Sequence, residues 1–165
     1  MINSAVVWVT GMPGAGKTTF ADALAKQLKV QGRQDIIRLD GDQLREVFAN
    51  TDYSVCARLS LAMQYAKLAN MLALQGYIVI VSTVSLFHKV HQWNRANLPN
   101  YVEVYLNPSM DVLHNRNQKG LYTDAGNNIL GKDIAPEFPQ NSDYEFNDED
   151  IRSSVNLIIE QCFTA

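Results

Sequence analysis

The sequence predicts a three-layer α/β sandwich, a mainly parallel central sheet with helices on both faces. Two observations lead there. Short apolar, β-branched runs alternate with longer amphipathic runs along almost the whole chain, the pattern of repeated β-α units. The first run, residues 5–10 (Ala-Val-Val-Trp-Val-Thr), is continuously apolar rather than alternating, as expected for a strand covered on both faces.

The elements follow in order. After strand 5–10, residues 18–30 are predicted helical, with Phe20, Leu24 and Leu28 recurring every fourth position and Gly32 beyond the end. Residues 36–39 are a second strand and 41–49 a short helix. Residues 57–75 form a long helix with Leu61, Tyr65, Leu68 and Leu72 on one side and Gly76 as its stop. Residues 77–84 are a strand, 87–97 a helix and 101–106 an alternating strand that places Tyr101 and Tyr105 in the core. A helix follows Asn107-Pro108 to about residue 118, with Ser109 as N-cap. Residues 143–146 are a last short strand. Asn147 is expected to cap the final helix, with Asp148, Glu149 and Asp150 in its first turn and Ile151, Val155, Ile158 and Cys162 as its stripe. Residues 119–141 hold Gly120, Gly126, Gly131, Pro136 and Pro139 with little periodicity; a connection this long is expected to be a lid or binding loop.

Bulk properties narrow the function. The 165 residues fit one domain, and 47% hydrophobic with 19% charged residues is globular composition. A formal net charge of -3 argues against binding a nucleic-acid polymer. No run of 18 apolar residues suggests a membrane span, and the N-terminus lacks a signal-peptide pattern, so a cytoplasmic protein is expected. Cys56 and Cys162 are in no metal spacing and read as packing thiols. His88 and His91, three apart on a helix, lack an evident third metal ligand. Trp93 reads as packing.

The chemistry is concentrated after the first strand. Gly11-Met12-Pro13-Gly14-Ala15-Gly16-Lys17-Thr18 fits the phosphate-binding pattern Gly-x4-Gly-Lys-Thr, between a buried strand and a helix. Glycines let backbone N–H groups turn inward around a phosphate, and the helix N-terminus adds positive potential. The sequence therefore predicts a P-loop NTPase fold. ATP would be held by Gly11, Pro13, Gly14, Ala15, Gly16, Lys17, Thr18 and Thr19, with Lys17 on the β and γ phosphates and Thr18 on Mg²⁺. A second polar cluster, Leu39-Asp40-Gly41-Asp42-Gln43-Leu44-Arg45, sits at the carboxyl end of the second strand, where open α/β sheets bind ligands. Asp40 and Asp42 can accept a proton from an attacking hydroxyl or hold Mg²⁺ through water; Asp42 could instead be a helix cap. Arg45 can fork onto a phosphate or sulfate.

Thr10 to Thr19, Leu39 to Arg45, Ala66-Lys67-Leu68, Val104-Tyr105-Leu106 and the run Arg116-Asn117-Gln118-Lys119-Gly120-Leu121-Tyr122 resemble adenylyl-sulfate kinases, over about residues 5–147. The resemblance implies transfer of the ATP γ-phosphoryl group to the ribose 3′-hydroxyl of adenosine 5′-phosphosulfate. It implies catalytic roles for Lys17, Asp40 and Asp42, acceptor contacts from Asp42, Arg45, Tyr53, Arg58 and Ser85, and a nucleotide lid opened by Arg116 and Lys119. Departures fall on the acceptor half. The family's Asn-Ile-Arg-Arg stretch is missing, Ser85-Leu86-Phe87 stands for Ser-Pro-Tyr, and His88 and His91 lie where arginines follow. Ile129 stands where an aromatic would cover the acceptor base. A second reading therefore keeps the chemistry and changes the acceptor to another activated nucleotide, such as cytidine diphosphoramidate in surface-polysaccharide modification. A nucleotide-gated binding protein is a third. The expected partner is a small nucleotide, with no polymer and no membrane; a homodimer is compatible with the sequence.

Overall fold

The computed structural model describes residues 4–116 and 134–163. Five strands, β1 (Ala5–Gly11), β2 (Ile36–Asp40), β3 (Ile78–Ser82), β4 (Tyr101–Leu106) and β5 (Tyr144–Phe146), form one parallel sheet in the order β2-β3-β1-β4-β5. The helices are α1 (Lys17–Val30), α2 (Gly41–Val47), α3 (Val55–Ala73), α4 (His88–Asn97), α5 (Met110–Asn115) and α6 (Ile151–Cys162).

The pleat of β1 explains its composition. Ala5, Val7 and Val9 face one core with Phe20, Leu24 and Leu28 of α1 and Val155, Ile158 and Ile159 of α6. Val6 and Trp8 face the other core, with Leu61, Tyr65 and Ala69 of α3 and Val90 of α4. Every residue of β1 is buried, and its one polar side chain, Thr10, donates its hydroxyl to Val84 O. Leu24 is fully enclosed, and Leu24→Ala would remove roughly 2–5 kcal/mol.

Register fixes the functional edge. Ser82 pairs with Val9 on one side and Asp40 on the other, and Gly11 pairs with Leu106. The carboxyl ends of β1, β2, β3 and β4 thus lie along one rim.

Several local expectations are corrected. The final helix is capped by Asp150, whose side chain accepts from Ser153 N at 3.1 Å, and not by Asn147; Asp148 instead accepts from Ser109 N at 3.3 Å. Three acidic residues in a row offer the helix several starts, and packing of Ile151 chooses the last. Ser109 holds the cap position of α5 without a side-chain cap bond. Cys56 is exposed at the start of α3 rather than packed; Cys162 is half-buried beside the Tyr144 hydroxyl. Glu103, between the two core tyrosines of β4, is buried too. Its carboxylate accepts a hydrogen bond from the Tyr101 hydroxyl at 2.7 Å, and burial raises its pKa.

Candidate active site

The loop after β1 is shaped by its glycines. Gly11 has φ 151°, and a Cβ there would collide with the carbonyl oxygen of Leu106. Gly16 caps α1 in a left-handed conformation, φ 94°, with no side-chain cap bond. With no side chain capping it, the positive end of α1 faces this loop and favours an anion there. Ala15 N closes the turn onto Met12 O at 3.1 Å, and Lys17 Nζ donates to Met12 O at 2.8 Å. Thr18 and Thr19 are exposed on the first turn, and Pro13 is half-buried. Arg116, at the end of α5, brings a guanidinium nitrogen within 3.7 Å of where a Cβ on Gly16 would stand. Beside it a cavity of about 150 Å³ is lined by Ala15, Phe20, Leu106, Arg116, Asn147 and Ile151, among others.

Asp40 joins this loop to β2. Its Oδ2 accepts from Thr18 Oγ1 at 2.8 Å and from Ser82 Oγ at 2.9 Å; its Oδ1 accepts from the amides of Asp42 at 3.0 Å and Gln43 at 3.4 Å. Burial raises its pKa, but these four donors outweigh burial and hold the carboxyl below its ordinary value. Asp40 is thus the N-cap of α2, the part the sequence had offered to Asp42. Asp42 lies two residues further on, exposed, in the first turn of α2. Gly41 must be glycine here: a Cβ would come within 2.8 Å of Thr83 Oγ1. Tyr65 supports the same point, its hydroxyl donating to Gly41 O at 3.0 Å.

The acceptor candidates Arg45, Tyr53 and Arg58 form one unit. Arg45 is anchored through Nη1 to Asn50 Oδ1 at 3.1 Å and Asp52 O at 3.0 Å, and Arg58 through Nε to Tyr53 O at 2.8 Å. Their guanidinium carbons lie 4.4 and 5.2 Å from the centroid of the Tyr53 ring. Such contacts contribute roughly 0.5–1 kcal/mol each at an exposed site. Tyr53 therefore orders two cations as well as offering a ring. Ser85 is buried, its hydroxyl 2.8 Å from Thr83 Oγ1, so it meets the site through the loop it shapes. Lys119 and Ile129, and the lid before residue 134, lie outside the described residues. Beyond it, Glu137 N donates to Leu86 O at 3.1 Å and the Glu137 carboxylate accepts from His88 N at 2.7 Å.

Sequence reasoning missed Ser82, Thr83 and Tyr65. Ser82 and Thr83 sit at the end of a predicted strand, where a hydroxyl looks like filler; only the register across β3 puts Ser82 opposite Asp40. His88 and His91 each make a hydrogen bond to the backbone. Both ring Nε2 atoms face carbonyls, Phe138 O at 2.9 Å and Ser85 O at 3.0 Å. Among the described residues no group of three or more His, Cys, Asp or Glu could hold a metal.

A parallel sheet in this strand order, with a glycine-shaped anion loop, a lysine and a hydroxyl–carboxylate pair on one rim, defines a P-loop phosphotransferase. The chain belongs to the adenylyl-sulfate kinase family: residues 3–147 match the family model described as Adenylylsulphate kinase. It is 39% identical to the cytidine diphosphoramidate kinase of Campylobacter jejuni over 96% of both chains. It is 34% identical to the adenylyl-sulfate kinase of Vibrio cholerae over 98% of this chain and 77% of that one. The adenylyl-sulfate kinase of Mycobacterium tuberculosis, solved with AMPPNP and APS, superposes with a TM-score of 0.87 at 26% identity, covering 97% of this chain and 98% of that chain. The chain is accordingly a nucleotide kinase, a phosphotransferase with a hydroxyl acceptor.

Proposed function

We propose that this kinase moves the γ-phosphoryl group of ATP to the ribose 3′-hydroxyl of a cytidine diphosphate derivative of the cytidine diphosphoramidate class. The observation that carries this reading is the end-to-end match, 39% over 96% of both chains, to a kinase named for that acceptor. The departures from adenylyl-sulfate kinases support it, because they fall on the acceptor half and spare the phosphate loop.

The residues divide the work as follows. The amides of the loop and of the α1 N-terminus hold the phosphates, with Lys17 as a mobile point charge on the β and γ groups. The cavity beside Ala15 and Arg116 receives the adenine end, and Arg116 lies close enough to the loop to add positive charge there. Thr18 Oγ1 is the oxygen that would meet Mg²⁺: its proton goes to Asp40 Oδ2, which Ser82 Oγ also holds, so the lone pairs of Thr18 stay turned toward the cation. The cation, when bound there, neutralises charge on the phosphates. Asp40 has all its acceptor directions engaged and a lowered pKa, so it is a poor base. That leaves Asp42, exposed at the start of α2, to orient and deprotonate the acceptor hydroxyl. Arg45 and Arg58, held apart by Tyr53, face the acceptor's diphosphate. No described helix is long and apolar enough to cross a membrane, which accords with a cytoplasmic enzyme on small substrates.

The test is product analysis. ³¹P NMR of the reaction with ATP, Mg²⁺ and cytidine diphosphoramidate should show a new phosphomonoester coupled to the ribose H3′. Phosphorylation of adenosine phosphosulfate alone would return the chain to the activity that names its family.

A further inference from the structure

The loop between β3 and α4 carries a backbone conformation that asks for an explanation. Ser85 is buried and has φ 24°, positive for a residue with a Cβ and short of the ordinary left-handed basin. Such a residue is strained and persists only where its surroundings over-determine it. Three contacts do so. Ser85 O accepts from Phe87 N at 3.0 Å and from His91 Nε2 at 3.0 Å, and Ser85 Oγ shares a proton with Thr83 Oγ1 at 2.8 Å.

His91 is the unusual member. A carbonyl only accepts, so Nε2 carries the proton and Nδ1 is bare. Nδ1 is buried and has no hydrogen-bond partner among the described residues. A leucine would fill the same space without stranding an acceptor. What only the imidazole supplies is the bond to Ser85. From Ser85 the contacts run onward to the reacting end of the site. Thr83 is pinned by its amide to Val9 O at 3.0 Å, and its Oγ1 stands against Gly41, where even one added carbon would be 2.8 Å away. Gly41 opens α2, and Asp42 is the next residue.

We propose that His91 is a positioning residue for the acceptor: by holding Ser85 in its strained turn it sets Thr83 against Gly41 and so fixes where Asp42 meets the acceptor hydroxyl. This rests on Asp42 facing the acceptor, and not on which nucleotide the acceptor is. Between His91 and Gly41 the contacts touch no residue of the phosphate loop from Gly11 to Thr18, so the larger effect falls on the acceptor.

The experiment compares His91→Asn with His91→Gln. The asparagine amide ends near the place of Nδ1 and cannot reach Ser85 O; the glutamine amide nitrogen reaches the place of Nε2. His91→Asn should raise KM for the acceptor and lower kcat, each by about 10-fold, with KM for ATP within about 2-fold of native. His91→Gln should recover to within about 3-fold of native on all three. In a Ser85→Gly background, where φ 24° carries little strain, the penalty of His91→Asn should shrink. Equal behaviour of the two His91 variants, parallel changes for ATP and acceptor, or an undiminished penalty beside Ser85→Gly would each overturn the proposal. Long-range ¹H–¹⁵N NMR of the native imidazole should show the proton on Nε2; a proton on Nδ1 would overturn it as well. That reading needs no acceptor and no variant, so it separates a failure here from a wrong choice of acceptor nucleotide.

Discussion

Replacing Asp40 by Asn separates its two duties, capping α2 and supporting the phosphate site. Asn is as good an N-cap as Asp, so the amide oxygen should keep the bonds from Asp42 N and Gln43 N. On the other side, the hydroxyls of Thr18 and Ser82 must turn to accept from the new NH₂ group. Two charge-assisted bonds become neutral ones, a loss of about 1–2 kcal/mol in stability. Catalysis loses more. The carboxylate that accepts from Thr18 disappears from the place proposed for the γ-phosphoryl group and its cation, and removal of one such electrostatic group costs about 10²-fold or more in kcat. Asp40→Ala should lose the cap as well, for a further ~1 kcal/mol. Coupled ADP release gives kcat, and urea unfolding gives the stability. An Asp40→Asn enzyme with native kcat and a stability loss above about 3 kcal/mol would refute the reasoning, leaving Asp40 as a structural cap.

Other substitutions probe neighbouring steps. Lys17→Ala should cost about 10²-fold or more in rate by removing the point charge on the β and γ phosphates; near-native turnover would remove the loop from catalysis. Gly41→Ala should leave ATP binding intact and raise acceptor KM, because its Cβ meets Thr83 Oγ1 at 2.8 Å and must push α2 away from β3. Unchanged kinetics would show that the start of α2 has room to move. Burial holds the His91 pKa down to about 4, opposed by Ser85 O and the Glu137 carboxylate and assisted by His88. The folded state then binds fewer protons than the unfolded one between pH 6.5 and 4, so the stability present above pH 6.5 is lost as pH falls through that window, by about 2 kcal/mol at pH 5. Urea unfolding at pH 7 and pH 5 should show that loss in the native enzyme and not in His91→Gln; an equal loss in both would place the titration elsewhere.

The features visible in the sequence are those in which residue type alone dictates the local structure. The phosphate loop was legible because glycine, lysine and threonine are required together and their order is fixed by the chain. The two-sided burial of β1 was legible from an unbroken apolar run. Asp40 and Asp42 were recognisable as a pair, but their separate parts were not. Which carboxylate caps α2 depends on where the helix begins, and the first helical position leaves no room for a side chain because Thr83, forty-two residues later, stands against Gly41. Ser82 was invisible for the same reason, since its value comes from lying across the sheet from Asp40. Glu103 escaped because nothing in an alternating strand distinguishes a buried carboxyl from an exposed one until the tyrosine beside it donates a hydrogen bond. The inward turn of the Ser85 hydroxyl needs a positive φ that a serine does not announce.

The choice of acceptor is tested most directly by kcat/KM for cytidine diphosphoramidate and for adenosine phosphosulfate, measured side by side at saturating ATP and Mg²⁺. The pyrimidine nucleotide should reach about 10⁴ M⁻¹s⁻¹ or more, as working enzymes do, and exceed the adenylyl substrate by at least about 10²-fold. An efficiency at that level on adenosine phosphosulfate, with cytidine diphosphoramidate near background, would contradict it.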